Sequence, residues 1–495
     1  MTDTTAYKNI FKTTFLFGFV QVFNIAIKVG INKVVALILG AEGLGIISLF
    51  NTSISMIKNG CGLGINQSGV RDISEAYGSG NKRACSETIF FVKKIILYTC
   101  LFGAIAMIIL SPILSNYSFG NNGYILSYCL LAIAVAATIL NDGLKTILTG
   151  TRKLRYLAKA SMIGSFAGLV FALPFYYLWG KQGIVPSLIS SSLASLLISY
   201  LYVKKAKYQS KQMTIKEVFI RSSSMIKMGI SLMLMSLMID LNNLIISSYI
   251  SNNGGLDILG YYQSGITIIA GYFGIIITAM STDYYPRISA INKDNLKLKD
   301  AVNSQSEVGL IIALPLVVLF VFLSPYFLRL LYTTDFQVAS QYIDYAMLGT
   351  VIVICSNCMG MVLLAKQSPK LFLTSSFLMN IVIVSLNIIL YRYFGLTGLG
   401  FGYFFSGLLQ FVVYDMMMLK KFSICFNRSV IKKVFIVLVF CLLSKFAREI
   451  DQVWWKYSIG SVLIIISCFY SLYYMHKQMH INPIISFKNE ISKHL

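Results

Sequence analysis

Charged residues are scarce in this sequence. Only 12% of its 495 residues are Asp, Glu, Lys or Arg, whereas 56% are hydrophobic, and the mean hydropathy is +0.72. A soluble domain carries about one quarter charged residues, which it needs to cover its surface. The low charge therefore excludes a soluble globular protein of this length and indicates lipid as the surrounding solvent.

The residues and motifs of common catalytic and metal centres are also missing. There are three histidines, and the nine cysteines are scattered without zinc-ligand spacing; Cys355 and Cys358 form a CxxC, but inside an apolar run. Burial of small apolar side chains explains these cysteines better than a metal or redox site. No hydrolytic motif and no phosphate-binding GxxxxGK(S/T) motif occurs. We therefore expect no enzymatic activity, no cofactor and no metal, and an ion or substrate gradient in place of ATP.

Long apolar runs fill the sequence instead. A bilayer core of about 30 Å is crossed by a helix of about 20 apolar residues. The runs predict an all-α polytopic membrane protein with about fourteen spans. The weakest is 434–447, which is short and runs into Lys445 and Arg448, so twelve spans with a peripheral hairpin is the alternative. The predicted spans are 10–31, 44–65, 91–112, 123–143, 160–179, 184–203, 228–250, 261–282, 306–325, 343–365, 371–393, 397–419, 434–447 and 457–475.

Acidic residues are few, and the charge balance fixes an orientation. The chain has 42 basic and 19 acidic residues, a net charge of +23. Most Lys and Arg residues lie in alternate loops and at both ends of the chain, and the positive-inside rule places these regions in the cytoplasm. Because basic loops then face anionic headgroups, the charge needs no nucleic-acid partner.

The sequence repeats itself at an offset of about 215 residues. LGAEGLG at 39–45 is echoed by NGGLDILG at 253–260, and LWGKQG at 178–183 is echoed by YFGLTG at 393–398. Asn141 likewise falls on Asn357 in register. Six spans separate the copies, and six is even, so both copies enter the membrane from the same side and the repeat is parallel.

This repeat predicts the organisation of the chain. We expect six-helix lobes at 1–205 and 228–421, joined by a basic cytoplasmic linker at 206–227. A further helix pair and a cytoplasmic tail occupy 422–495. Rocking of two such lobes exposes a cleft between them to each side in turn, which suits transport.

Two lysines lie inside predicted spans, where a charge costs about 2.5–3.5 kcal/mol on insertion scales. Lys28 lies near the outer end of span 1, and Lys58, followed by Asn59, lies near the inner end of span 2. Facing a cleft, the two ammonium groups would bind an anion at two depths, as a cationic ladder. The alternative is that each lysine stem snorkels to its nearer interface.

Carboxylates and amides form a second set of intramembrane polar groups. Asp240 lies near the middle of span 7, and we expect it to pair with a cation across the cleft or to be protonated, as in an ion relay. A helix–helix hydrogen bond made by the neutral acid is the alternative. Asp142, at the cytoplasmic end of span 4, either balances cavity charge or is interfacial. Asn24 is a candidate for binding sugar hydroxyls, with interhelical hydrogen bonding as the alternative.

The stretch KVVALILGAEGLGIISLFNTSISM, followed by GLGINQSGVRDISEA, resembles the opening of Wzx-type O-antigen translocases. These are flippases of the multidrug/oligosaccharidyl-lipid/polysaccharide (MOP, MATE-like) exporter superfamily. The likeness is clearest over residues 30–75. It implies flipping of undecaprenyl-diphosphate-linked oligosaccharide repeat units to the periplasmic leaflet of a bacterial inner membrane, with both termini cytoplasmic. It also implies H+ or Na+ as a coupling ion, and a polysaccharide polymerase and a chain-length regulator as protein partners.

The same resemblance bears on the site. Related lipid II flippases carry basic residues on their first two helices, and Lys58 falls close to one such position by its distance from Gly40. Lysine in place of the common arginine gives a point charge where arginine would clamp a diphosphate with two hydrogen bonds. The predicted substrate-binding residues are Lys28, Lys58, Asn59 and Asn24, with Asp240 and Asp142 for ion coupling or cavity charge balance.

Three other functions fit the same architecture, and one of them is that of a transport-inactive scaffold in a polysaccharide assembly complex. An ion-coupled multidrug exporter of the superfamily would carry cationic cargo, for which an acidic lumen is expected, whereas spans 1 and 2 carry lysines. A membrane glycan polymerase or ligase would need a large outer loop for its chemistry, and the longest outer connection here, around 326–342, is short.

Overall fold

The computed structural model describes residues 3–79, 81–206, 215–274, 284–285, 287–366 and 369–479. Within these ranges every regular element is a helix, which confirms the predicted fold class. Residues 207–214 of the predicted linker, residues 275–282 of span 8 and the C-terminal tail from 480 lie outside the described residues. The helices are α1 (Asp3–Cys61), α2 (Ile65–Gly78), α3 (Lys82–Phe119), α4 (Ile125–Gly150), α5 (Leu154–Trp179), α6 (Ile184–Lys205), α7 (Ile215–Gly254), α8 (Leu256–Ile266), α9 (Asn295–Leu331), α10 (Ser340–Ala365), α11 (Pro369–Phe422), α12 (Arg428–Glu449) and α13 (Val453–Met479).

Among the described residues, nine helical segments are long and apolar enough to cross a membrane. Three of them, Phe23–Cys61, Leu154–Lys205 and Leu373–Phe422, run through two predicted spans each or through parts of them. The two predicted spans without such a segment are 261–282, which is only partly described, and 434–447, which α12 contains. The helices are therefore consistent with the fourteen predicted spans, and the chain is a multi-pass membrane protein.

Glycines mark the points where consecutive spans join. Gly180, between α5 and α6, has φ 55° and ψ −128°, and Gly395, inside α11, has φ 57° and ψ −136°. A side chain is strained at such positive φ values. Three residues further on, a Cβ on Gly183 would lie 2.0 Å from the carbonyl oxygen of Phe175, and one on Gly398 would lie 2.0 Å from that of Leu390. The sequence echo at an offset of about 215 residues is therefore also an echo in backbone geometry.

The repeat between 39–45 and 253–260 also has glycines with positive φ values at equivalent positions, and its two copies are in contact. Gly40, with φ 68°, kinks α1, and Gly255, with φ 90°, separates α7 from α8. A Cβ on Gly45 would lie 2.2 Å from the carbonyl oxygen of Leu256, and a Cβ on Gly260 would lie 2.0 Å from that of Ala41. The two copies of the motif thus touch reciprocally, backbone against backbone, at residues that the repeat makes equivalent.

The chain divides into two compact units, Met1–Gly260 and Tyr261–Leu495. In the first unit, α4 packs between α3 and α6, and α1 packs against α5 and α7. In the second unit, α10 is the most buried helix and packs against α9 and α11, while α12 and α13 pack on α9. Helix α7, which the sequence analysis assigned to the second lobe, belongs to the first compact unit. The two six-helix lobes stay a prediction.

Candidate substrate-binding cluster

Lys58 lies in the last turn of α1, where it forms an ion pair with Asp142 of α4. Its Nζ lies 3.0 Å from Asp142 Oδ2, and about a quarter of each side chain is exposed. Helix α1 ends three residues later, because Leu63 and Gly64 adopt left-handed conformations with φ 50° and 59°. A cation is favoured at this end of a helix by the partial negative charge of the last carbonyl groups.

Asn59 reaches a different carboxylate. Its Nδ2 donates a hydrogen bond of 2.6 Å to Oδ2 of Asp240 on α7. Successive helical residues point about 100° apart, so Lys58 and Asn59 contact different helices. The Lys58 ammonium also lies within electrostatic range of this carboxylate, and the expected cation or proton on Asp240 stays a prediction. An amide satisfies one lone pair of the carboxylate but supplies no charge.

Lys145, one turn along α4 from Asp142, completes the cluster. It is half-buried and lies within electrostatic range of both Asp142 and Lys58. The sequence analysis missed it because it lies just beyond the predicted end of span 4. Helix α4 in fact continues to Gly150, which brings Lys145 onto the same helix as Asp142. We call these five residues the α1–α4–α7 cluster: Lys58, Asn59, Asp142, Lys145 and Asp240.

The two other predicted site residues lie before the Gly40 kink and are not bonded to this cluster. Asn24 Nδ2 donates a hydrogen bond of 3.2 Å to Ser161 Oγ of α5, while its buried Oδ1 accepts no hydrogen bond from a described residue. Lys28 is exposed and makes no hydrogen bond or ion pair with a described residue. The interhelical role considered for Asn24 is thus observed, and the ladder from Lys28 to Lys58 stays a prediction.

The second unit holds two buried ion pairs that the sequence analysis did not single out. Lys433 of α12 lies 2.7 Å from Glu307 of α9, and Arg448 of α12 binds both carboxylate oxygens of Asp344 of α10, at 2.7 and 2.5 Å. The signal was present, since Glu307 and Asp344 each lie at the second position of a predicted span. These pairs explain why the weakest predicted span is nevertheless a helix: its charges are neutralised inside the protein.

The resemblance seen in the sequence is confirmed by comparison with known proteins. A family described as polysaccharide biosynthesis proteins matches residues 34–341. This chain belongs to that family. The matched range includes all five residues of the α1–α4–α7 cluster.

A relative and two solved structures support the membership of this polysaccharide biosynthesis protein. A Shigella flexneri protein, provisionally named an O-antigen transporter, is 26% identical over 317 residues, which are 61% of this chain and 72% of that protein. The lipid II flippase MurJ in an inward closed conformation has a TM-score of 0.70 at 15% identity, over 94% of this chain and 99% of its own. An inward-facing MATE-family multidrug resistance transporter of the MOP superfamily has a TM-score of 0.62 at 17% identity, over 81% and 96%. At such identities these structures establish the fold, which is the predicted MATE-like one.

Proposed function

We propose that this polysaccharide biosynthesis protein flips undecaprenyl-diphosphate-linked oligosaccharide repeat units from the cytoplasmic to the periplasmic leaflet of a bacterial inner membrane. The observation that supports it most directly is the α1–α4–α7 cluster, in which the ammonium group of Lys58, on a membrane helix, is paired with the carboxylate of Asp142. The provisional name of the Shigella flexneri relative, an O-antigen transporter, points to the same class of cargo.

The physical problem of such a substrate is its headgroup. Sugar hydroxyls and a diphosphate cannot enter hydrocarbon without losing their hydrogen bonds to water. A polar cavity that offers ammonium groups removes most of this cost, while the prenyl tail stays in lipid. In the substrate-free protein, Asp142 keeps Lys58 compensated, because an unpaired charge at this depth is costly.

Substrate binding then amounts to an exchange of anions. A diphosphate oxygen replaces the Asp142 carboxylate on Lys58, and Lys145 stands close enough to share the charge that is brought in. Asp142 and Asp240 are left as two carboxylates without a full countercharge. A proton or a sodium ion would neutralise them, which makes these residues the candidates for ion coupling.

The balance of charge in the cluster disfavours the multidrug alternative. An exporter of cationic cargo needs excess negative charge along its path, whereas the cluster holds two lysines and two carboxylates. The polymerase alternative receives no support either, since the named relative is a transporter. A polysaccharide polymerase and a chain-length regulator remain the partners that we propose for the flipped product.

The test is a flipping assay in liposomes that carry a fluorescent undecaprenyl-diphosphate oligosaccharide in both leaflets. We compare wild type, Lys58→Ala, Asp240→Asn and the control Lys94→Ala, whose lysine stacks on Phe90 away from the cluster. We expect exchange with wild type and Lys94→Ala, none with Lys58→Ala, and loss of gradient dependence with Asp240→Asn. Exchange that survives both cluster substitutions would overturn the site but keep the function. Absence of exchange by wild type, together with efflux of a cationic dye, would replace the function by drug export.

A further inference from the structure

A cavity of about 550 Å³ lies in the first unit, over one face of α4. Its floor is a stripe of α4 residues at the spacing i, i+3, i+4 and i+7, which places all four on the same side of the helix. A Cβ on Gly143 would lie 2.3 Å from the Ile96 side chain of α3. The absence of a side chain at Gly143 therefore allows Ile96 to pack directly against the backbone of α4. The four floor residues are Leu140, Gly143, Leu144 and Ile147.

The second wall is a matching stripe of α6. Leu193, Leu196, Leu197 and Tyr200 repeat the same helical spacing and line the cavity. Three of them are open to the surroundings, with Leu197 57% and Tyr200 52% exposed. Helices α3 and α6 both pack on α4, so the cavity is a groove between them, walled by apolar side chains. In a membrane protein, an apolar groove of this kind suits a lipid acyl chain.

Among the described residues that line the groove, Lys93 of α3 is the only one with a charged side chain. It is exposed and makes no hydrogen bond or ion pair with a described residue. Its neighbour Lys94 does not line the groove and instead lies over the ring of Phe90, 5.7 Å from its centroid. No carboxylate is found among these described lining residues, so the charge that they present to a ligand is positive.

The depth of these residues fits a phospholipid. Lys93 lies near the cytoplasmic end of predicted span 3 and Tyr200 near the cytoplasmic end of predicted span 6, the level of headgroups. From Tyr200 back to Leu193 the helix rises about 10 Å toward the bilayer centre. A phosphate on Lys93 would therefore leave one acyl chain lying along the leucine face of α6.

We propose that this groove binds an anionic phospholipid of the cytoplasmic leaflet, with its phosphate on Lys93 and one acyl chain against α4 and α6. The site lies apart from the α1–α4–α7 cluster in its lining residues, and the proposal does not depend on flippase activity. Lys93 supplies selectivity for anionic headgroups, and the leucine stripes supply affinity for the chain.

The test is native mass spectrometry of the full-length protein titrated with phosphatidylglycerol or phosphatidylcholine. We expect wild type to retain phosphatidylglycerol about fivefold better than phosphatidylcholine, the effect of one interfacial lysine. Lys93→Gln should remove that preference, and the matched control Lys94→Gln should keep it. Leu193→Asn, at an exposed position of the groove wall, should reduce retention of both lipids.

Three results would overturn the proposal. Equal losses in Lys93→Gln and Lys94→Gln would indicate attraction by the general positive surface. Retention that is unchanged in Lys93→Gln and in Leu193→Asn would place the bound lipid elsewhere. Displacement of phosphatidylglycerol by undecaprenyl phosphate, with prenyl-lipid retention that depends on Lys93, would assign the groove to the prenyl lipid instead.

Discussion

At the scale of single residues, Lys58 and Asn59 are neighbours in sequence that hold carboxylates of two different helices. Lys58 binds Asp142 of α4 and Asn59 binds Asp240 of α7. The end of α1 is therefore tied both to the helix that carries Lys145 and to α7. Movement of α7 relative to α4 would have to break one of these two bonds. A change in the charge of Asp142 or Asp240 would therefore change how firmly α1 is bound to α4 or to α7.

Asp142 should compete with an anionic substrate for Lys58. We therefore expect Asp142→Asn to bind an undecaprenyl diphosphate headgroup about three- to tenfold more tightly, because a partly exposed ion pair contributes about 1 kcal/mol. Flipping should slow, since the carboxylate no longer displaces the substrate. Fluorescence titration measures the affinity for the headgroup, and the liposome assay measures the rate of flipping. The control is Asp72→Asn, which removes a carboxylate from an exposed ion pair with Arg71. Weaker binding by Asp142→Asn would show that Asp142 itself holds the headgroup or the coupling ion.

The Asn59–Asp240 bond gives a second residue-scale prediction. Asn59→Asp would set two carboxylates against each other at about the observed 2.6 Å and should lower the melting temperature. Adding Asp240→Asn restores one amide and one carboxylate, with donor and acceptor exchanged between the helices. We expect the double variant to recover most of the loss, a coupling of about 0.5–3 kcal/mol. Additive losses in thermal unfolding would mean that the bond does not join α1 to α7.

The sequence singled out four of the polar residues that the structure brings together in the α1–α4–α7 cluster, but not how they pair. Lys58, Asn59, Asp142 and Asp240 were all identified from their position inside or at the end of apolar runs. Their partners depend on the direction in which each helical residue points, and this is set by packing of α1 between α4 and α7. Asp240 shows the limit: the sequence suggested a cation or a proton for it, but could not reveal the hydrogen bond from an amide 181 positions away.

At the scale of elements, the glycines at the joints between consecutive spans could be predicted from the sequence, because glycine tolerates their backbone angles far better than other residues do. Gly180 and Gly395 were matched from the echo alone, and they share φ near 55° and ψ near −130°. Helix α12 was the opposite case. Its hydropathy is lowered by Lys433 and Arg448, and nothing in a single helix reveals that Glu307 and Asp344 neutralise them from other helices.

The ion pair between Arg448 and Asp344 is the element-scale contact that we expect to be most sensitive. Asp344 is 4% exposed in its side chain, and Arg448 also donates to Ser324 and to the Val321 carbonyl oxygen of α9. Arg448→Met leaves a buried carboxylate unpaired and should cost about 3–5 kcal/mol. Arg448→Met combined with Asp344→Leu should recover much of this, because no charge then remains buried. Thermal unfolding in detergent compares the two, with Arg428→Met, at the exposed start of α12, as the control.

If Arg448→Met unfolds at the temperature of wild type, α12 is held by apolar packing alone. A double variant that is no more stable than Arg448→Met would show that the other hydrogen bonds of the guanidinium matter more than the ion pair.

At the scale of the whole molecule, the internal repeat predicts how the chain is organised. Equivalent residues of the two copies touch at Gly45 and Gly260, each glycine lying against a backbone carbonyl of the other copy. Such a reciprocal contact is what a two-fold axis that relates the two copies of the motif would produce. By the predicted orientation the contact lies on the periplasmic side, while the α1–α4–α7 cluster lies toward the cytoplasm. The contact would then close the path from the cluster to the periplasm.

If the protein works by alternating access, this glycine contact has to open during the cycle. Gly45→Val places a branched side chain where even a Cβ would lie 2.2 Å from the Leu256 carbonyl oxygen, so the closed contact can no longer form. We expect the variant to favour the outward-open state and to lose flipping. A cysteine reporter, Asn59→Cys, should then react faster with a membrane-impermeant maleimide added from the periplasmic side.

Because the contact is reciprocal, Gly260→Val should have the same effect, whereas Gly30→Ala, where a Cβ meets nothing within 4 Å, should not. Unchanged periplasmic labelling in both valine variants, with flipping retained, would mean that this contact is not the periplasmic closure and that the path opens elsewhere.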